Sequence, residues 1–281
     1  CVVRLLRGDF SDWTGWEYRN DWAVGSYWTG LPKPRWRLET FDSIAILGEQ
    51  GIGDEVMFAS CVPEVQKRIR KVVIECDPRL TGVFARSFNV ETRPRIDITE
   101  RENSQVKYLS APRTEECFIP IGDLPRFFRK SRQAFPCVPY LKPLPEKVEE
   151  WKHLKGRTGL AWRGRSGQLK PGSFKLDNPV CLQYDAWPHE TGGMEVPEIN
   201  LKDDIEDILG ICANLERVVT VGQTVVHLAA SIGTPVEVVM APQGSGRVHN
   251  QFNWRYGEGT YPMPWYAQAR IHRNLEQFLR S

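Results

Sequence analysis

The chain has 281 residues, 41% of them hydrophobic, which is enough apolar material for two domains of modest size or one large one. A formal net charge of +2, with the basic residues spread rather than gathered into a stripe, argues against a nucleic-acid partner. No apolar run approaches membrane-spanning length, no signal peptide precedes the first strand, and the seven cysteines are scattered without a CxxC pair or a His/Cys cluster at metal-ligand spacing.

From Cys1 to about Trp36 the chain is dense in aromatics: Trp13, Trp16, Tyr18, Trp22, Tyr27, Trp28 and Trp36. Residues 1–40 read as a packing segment, one helix followed by an irregular arm that ends at Pro32 and Pro34. A sugar-stacking platform is the alternative. Ser43–Leu47 is a short apolar run with β-branched residues, a buried strand. It empties into a glycine turn holding Gln50, Gly51 and Gly53, and the spacing of Phe58, Val62, Val65 and Ile69 predicts a helix opening at Asp54. A strand, glycine loop and helix in that order present backbone amides and a positive dipole end at the edge of a parallel sheet, where α/β proteins bind ligands. Asp54 can cap the helix, or it can point into the cleft as a base. The glycines match neither GxGxxG nor a P-loop. Further strands are expected at Lys71–Cys76, Gln105–Ala111 and Cys117–Gly122, with a helix after Arg79 and a short amphipathic piece through Phe127 and Phe128. The proline-rich run 136–145 is the best linker and separates a domain at 41–145 from one at 146–281.

The second half repeats the alternation. A charged helix at Pro145–Lys155 precedes strands at Thr158–Trp162 and Val180–Gln183. An amphipathic helix at Asp203–Leu215 has acidic residues in its first turn. A strand at Arg217–Val221, a helix at Thr224–Ile232 and a strand at Pro235–Met240 follow. Two such sets imply an α/β protein of two doubly wound, Rossmann-like domains facing a cleft. Thr224 is placed to cap a helix whose first-turn amides would suit a diphosphate, with His227 one turn in; a lone histidine is more often a structural residue, and only its position over the expected cleft favours a functional reading of His227. In Leu160–Gly167, Arg163 and Arg165 could clamp phosphate oxygens or simply line a solvated loop. Gln183, at a strand end, is a neighbour of that site. Trp254-Arg-Tyr-Gly257 and Met263-Pro-Trp-Tyr266 read as core and closure packing.

As an ordered set, Gly48-Glu-Gln-Gly-Ile-Gly-Asp-Glu55, Gly159-Leu-Ala-Trp162, Asp204-Ile-Glu-Asp207, Thr224-Val-Val-His-Leu-Ala-Ala230, Trp254-Arg-Tyr-Gly257 and Met263-Pro-Trp-Tyr266 resemble the glycosyltransferase domain that follows tetratricopeptide repeats in many bacterial proteins. That domain is similar to the lipopolysaccharide heptosyltransferases of glycosyltransferase family 9 and, more distantly, to the O-GlcNAc transferase catalytic region. Gly8–Tyr18 looks like the last helix of such a repeat array, and the start at Cys1 rather than Met reads as a piece of a longer protein. The resemblance implies a GT-B fold and inverting, metal-independent transfer from a nucleotide-sugar, with no cofactor and no metal. It places the acceptor (a glycan, lipid-linked glycan or protein) on the first domain and the donor on the second. Asp54 matches the family's general base, beside the loop residues Gln50, Gly51 and Gly53. The donor set is Trp162, Arg163, Arg165, Gln183, Gln223, Thr224 and His227. The family's acid in Val-Asp-Thr is replaced by Gly222, and Arg163-Gly164 stands where a small residue usually follows Trp162. Few acids near Gly222 argue against the alternative of a nucleotide-sugar epimerase; a non-catalytic binding module is the other. Free thiols point to a reducing cytoplasm, with peripheral placement at an inner membrane allowed and further protein partners expected through upstream repeats.

Overall fold

The computed structural model describes residues 5, 9–16, 34–95, 101–102, 105–106, 114–164, 167–173, 175–240 and 263–281. Tyr18, Trp22, Tyr27, Trp28, Arg165, residues 107–111 and the motif at 254–257 lie outside them. The described residues divide into two compact units, one within Asp9–Ala134 and the other Leu5 with Phe135–Ser281.

The first unit is built on a parallel sheet of β1 (Ser43–Leu47), β2 (Lys71–Cys76), β3 (Glu91–Pro94) and β4 (Cys117–Pro120), in the order β3-β2-β1-β4. β1 is central, with Ile46 opposite Ile74 on one side and Ile119 on the other. A central parallel strand is covered on both faces, so its residues from Ile44 to Leu47 are all apolar and all buried. Helix α1 (Ile52–Ala59) follows β1, and Val56, Met57, Phe58 and Ala59 are fully buried. The expected helical run through Ile69 is broken. A turn at Ser60–Cys61 separates α1 from α2 (Val62–Gln66), with Pro63 in the first turn of α2. Proline has no N–H to continue the α1 ladder and its ring crowds the preceding turn, so a new helix starts there. Val62, Val65 and Ile69 are buried all the same.

Helix α3 (Thr81–Phe88) ends at Asn89 in the left-handed conformation and leads into β3. That strand carries no apolar signal. It is an edge strand, Glu-Thr-Arg-Pro, anchored by Arg93, which pairs with the buried Glu115 and lies 3.7 Å from Glu75. Gln105–Val106 pairs antiparallel with Arg101–Glu102 and does not join the main sheet. After β4 a 3-10 turn at Ile121–Asp123 runs into α4 (Leu124–Phe128).

The amino-terminal tryptophans that are described are packing residues. Trp13 Nε1 donates to the Arg129 carbonyl at 3.0 Å and Trp16 Nε1 to the Gly122 carbonyl at 2.6 Å. Trp36 is buried beside Phe127 and Phe128, and the Trp36 amide bonds to Phe118 O on the free edge of β4.

The second unit holds a five-stranded parallel sheet of β5 (Thr158–Ala161), β6 (Val180–Cys181), β7 (Arg217–Thr220), β8 (Val236–Val239) and β9 (Ala269–His272), in the order β6-β5-β7-β8-β9. Helices α5 (Pro145–Glu150), α6 (Ile205–Asn214), α7 (Thr224–Ser231) and α8 (Leu275–Leu279) complete it. Its core joins Leu160, Trp162, Cys181, Val219, Val221 and Val239. The proline run belongs to this unit: the amides of Tyr140 and Leu141 both donate to the Ser231 carbonyl, at 2.9 and 3.1 Å.

Six described cysteines are free thiols, all buried except the half-buried Cys137, and burial pushes Cys61, Cys117 and Cys212 up to about 12. Among the described residues no helix is long and apolar enough to cross a membrane.

The role of Trp16 is testable. Trp16→Phe keeps the apolar ring but leaves the Gly122 carbonyl without its indole donor, which costs about 1–3 kcal/mol in a buried setting. Urea denaturation should show that loss, whereas a sugar platform would lose carbohydrate binding at unchanged stability.

Candidate functional site

In both sheets the strand order reverses beside the first strand of the unit. β2 and β4 flank β1, and β6 and β7 flank β5. Loops leaving two strands at such a point diverge, so a crevice opens at the strands' carboxyl ends. Most of the described residues singled out in the sequence lie on the loops and helix starts at these two points.

In the first unit, Gly48 leaves β1 and its amide donates to the Glu75 carbonyl on β2 at 2.5 Å. A Cβ at Gly48 would lie 2.7 Å from Glu55 Oε1 and 2.8 Å from that carbonyl, so only glycine lets the chain pass. Glu49 turns inward and its Oε1 accepts the Gly122 amide at 2.8 Å, linking the loops after β1 and β4. Gln50 is exposed with φ +64°. α1 then begins at Ile52, two residues before the expected start. Gly51 occupies the N-cap with no side-chain capping bond, and Gly53 is buried in the first turn. Asp54 is therefore the third helical residue and not the cap. It is half-buried, and its Oδ2 lies 3.8 Å from where a Cβ on Gly51 would be, at the helix end that favours negative charge.

Its neighbour Glu55 points the other way. Glu55 is fully buried; Oε1 accepts from Arg95 Nη1 at 2.6 Å and Oε2 from the Asp77 amide at 2.9 Å. Burial pushes its carboxyl up to about 8, with Arg95 pulling the other way.

In the second unit, Trp162 closes β5 and is fully buried in the core. A short hairpin follows, Arg163–Gly164 pairing with Gly167–Gln168. Gly164 meets the loop after β7: a Cβ there would lie 3.0 Å from the Gly222 carbonyl and 3.2 Å from Gln223 Cβ. Gln183 is buried and its Oε1 accepts two backbone amides, Trp162 at 3.0 Å and Arg163 at 2.8 Å, so it braces the exit of β5.

Arg163 is taken up by acids. Its Nη1 and Nη2 bond Glu190 at 2.7 and 3.2 Å, its Nη2 bonds the Asp185 carbonyl at 2.7 Å, and Asp185 Oδ2 sits 3.3 Å from Nε. The guanidinium holds the Glu190 carboxyl down at about 2 and is itself raised.

At the head of α7 the cap position falls to Gln223, not Thr224. Gln223 makes no capping bond, donating instead to Thr220 Oγ1 at 3.1 Å, and Thr224 is the exposed first helical residue. His227 is buried, its Nδ1 3.2 Å from the Tyr266 hydroxyl, which lies 3.2 Å from that of Tyr140.

The structure thus brings Gln50, Gly51, Gly53 and Asp54 together in one unit, and Trp162, Arg163, Gln183, Gln223 and Thr224 in the other. His227 is enclosed beneath its helix. Sequence reasoning missed Glu49, Glu55, Arg95, Asp185, Glu190 and Tyr266 as site-forming residues. Glu49 and Glu55, as acids inside the glycine motif, and Tyr266, in the Met263-Pro-Trp-Tyr266 motif, carried a local signal. Among the described residues, no three His, Cys, Asp or Glu side chains gather as a metal site.

No protein-family model matches the chain. The curated protein FlbA of Caulobacter vibrioides is 27% identical over 284 residues, covering 85% of this chain; the chain spans 45% of that protein's length. The solved structure of the glycosyl transferase family 9 protein from Veillonella parvula aligns with a TM-score of 0.55 over 88% of this chain and 89% of its own, at 11% identity. ADP-heptose LPS heptosyltransferase II of E. coli aligns with a TM-score of 0.50 over 83% of this chain and 91% of its own, at 12% identity. The chain has their mixed α/β fold.

The Glu55 environment sets a pH dependence. Its folded-state value of about 8 lies above the ordinary 4.5, so folding favours the protonated form. That contribution to stability is complete below about pH 4.5 and is lost as pH rises through 8, by up to about 5 kcal/mol. Glu55→Gln cannot ionise and should lack this decline. Denaturation midpoints of the two proteins at pH 5 and pH 8.5 check it.

Proposed function

We propose that this chain is a glycosyltransferase that moves a sugar from a nucleotide-sugar to a hydroxyl acceptor, by inversion and without a metal. The reading includes the GT-B division of labour, with the acceptor on the first unit and the donor on the second. The observation that carries it is the pair of switch points in a family 9-like fold, one with the half-buried Asp54 carboxylate in the first helical turn after a glycine loop and the other a helix start with no side-chain cap. In this reading Asp54 takes the proton of the acceptor hydroxyl while Gln50, Gly51 and Gly53 shape the approach. The first-turn amides of α7, with Gln223 and Thr224, receive the diphosphate of the donor, where the helix dipole adds about 0.3–2 kcal/mol. Trp162, Arg163 and Gln183 act from below: they hold the β5 exit against the Gly222–Gln223 loop, and His227 supports α7 through Tyr266. Arg165, which follows Gly164 in the sequence, is a further donor-side candidate. The E. coli neighbour makes an ADP-sugar the first donor to try, and a glycan the first acceptor.

One observation favours a second reading, a non-catalytic binding module. Arg163 is committed to Glu190 and Asp185, and Gly222 supplies no acid to hold a donor sugar. Calorimetry against ADP-, UDP- and GDP-sugars separates the two, since a scaffold binds none of them.

The catalytic assignment has a sharp test. Gly51 occupies the cap, so Asp54→Asn removes no helix cap, and the dipole interaction it weakens is worth about 0.3–1 kcal/mol. Turnover should nonetheless fall by about 10²–10⁴-fold, the usual contribution of a positioned general base, with donor affinity unchanged. Full turnover in Asp54→Asn would remove Asp54 from the mechanism.

A further inference from the structure

The loop that precedes Asp54 is tied down at three successive residues. Gly48 donates to Glu75 on β2, Glu49 accepts from Gly122 beyond β4, and the Gln50 carbonyl accepts from Arg95 Nη1 at 3.1 Å. The first two ties brace the loop against both neighbours of β1. The third acts on the residue that most needs holding: Gln50 bears a side chain yet adopts φ +64°, a region that such residues seldom populate without outside support.

Arg95 Nη1 is shared. It donates to Gln50 O and also, at 2.6 Å, to Glu55 Oε1. One guanidinium nitrogen therefore bridges the residue before the cap and a residue in the first turn of α1, and Asp54 lies between the two bridged points. Successive helical side chains are about 100° apart around the axis, so anchoring Glu55 inward fixes the direction in which Asp54 projects. Glu55 is itself immobilised by the Asp77 amide, and it fills the space that a side chain on Gly48 would need.

We propose that Arg95 is a positioning residue for Asp54, clamping the glycine loop and the first turn of α1 into the geometry that presents the Asp54 carboxylate outward. The assignment rests on Asp54 being the base of the reaction read above, but the clamp can be measured without any turnover.

The probe is amide hydrogen exchange on the whole chain, comparing wild type with Arg95→Met and Arg95→Lys. Arg95→Met should still fold, because burial already favours the protonated form of Glu55, so loss of Arg95 strands no carboxylate charge. Removing a charge-assisted bond should speed exchange of the 50–55 amides by roughly 10–100-fold while the β1 and β2 amides of 44–47 and 72–75 keep their protection. Arg95→Lys, which keeps the charge but not the planar fork, should fall between. With an active preparation, Arg95→Met should lower kcat by about tenfold or more at unchanged donor KM, and Lys should restore part of it. Exchange in the loop identical to wild type overturns the clamp. So does a uniform rise over the whole unit in both variants, which would make Arg95 a general stability residue. If the loop loosens as expected but wild type transfers no sugar, the clamp stands and the reaction is what fails.

Discussion

The constraint on which both units depend is the reversal of strand order beside the first strand of a parallel sheet. Parallel strands need crossover connections of one hand, so a sheet that grows outward on both sides of its first strand sends neighbouring loops apart at the carboxyl ends. The polypeptide must then leave the central strand, turn sharply and start a helix within a few residues. In the first unit this happens between Leu47 and Ile52, and in the second, for the strand adjacent to β5, between Thr220 and Thr224. So little chain leaves little room for bulk: a side chain at Gly48 would collide with the Glu55 carboxylate and the Glu75 carbonyl, and one at Gly164 would crowd the Gly222 carbonyl at 3.0 Å.

A second consequence is that most of the charged side chains near these loops work as fasteners. Glu49 holds a backbone amide, Asp123 pairs with Arg35, Glu55 bridges an amide and an arginine, and Glu190 and Asp185 together absorb Arg163. Pairs of this kind contribute little net stability once desolvation is counted, but they penalise any alternative arrangement that would leave one partner buried alone. Their effect is to fix loop geometry, which is what a binding edge requires. The same accounting explains Arg163. A guanidinium in a basic glycine loop suggests a phosphate clamp until the carboxylates that face it are known, and both of them are more than twenty residues away in sequence.

What was legible in the sequence follows the same division. β1, β2, β4, β5, β7 and β8 announce themselves because buried parallel strands are continuous apolar runs, and α6 and α7 because their apolar faces are long enough to repeat. β3 and β9 do not, since edge strands carry polar or mixed residues and are held by register and ion pairs rather than by their own hydrophobicity. The start of α1 and the cap of α7 were misplaced by a similar logic, although α7 itself starts at Thr224 as expected. Asp54 and Thr224 look like caps by residue type, but the backbone turns earlier, at Gly51 and Gln223, because the glycine and the extended φ of −156° do the turning. The loops and their helices were therefore readable, and the direction in which each side chain points was not. Direction is set by partners such as Arg95, Glu190 and Tyr266, which lie far along the chain.

That distinction decides between the acids of the first loop. Glu49, Asp54 and Glu55 fall within seven residues of one another, and composition offers no reason to prefer one as a base. Glu49 is 5% exposed and already accepts the Gly122 amide; Glu55 is wholly enclosed, engaged through both oxygens and drawn toward its protonated form by burial. A base must reach the proton it removes, and it must be an anion to take it. Neither glutamate satisfies both conditions. Asp54 is the loop carboxylate with access to solvent, and it sits one residue before an acid whose environment excludes that role. Burial therefore decides between the two adjacent acids: it commits Glu55 to the frame and leaves Asp54 as the carboxylate that a substrate can reach.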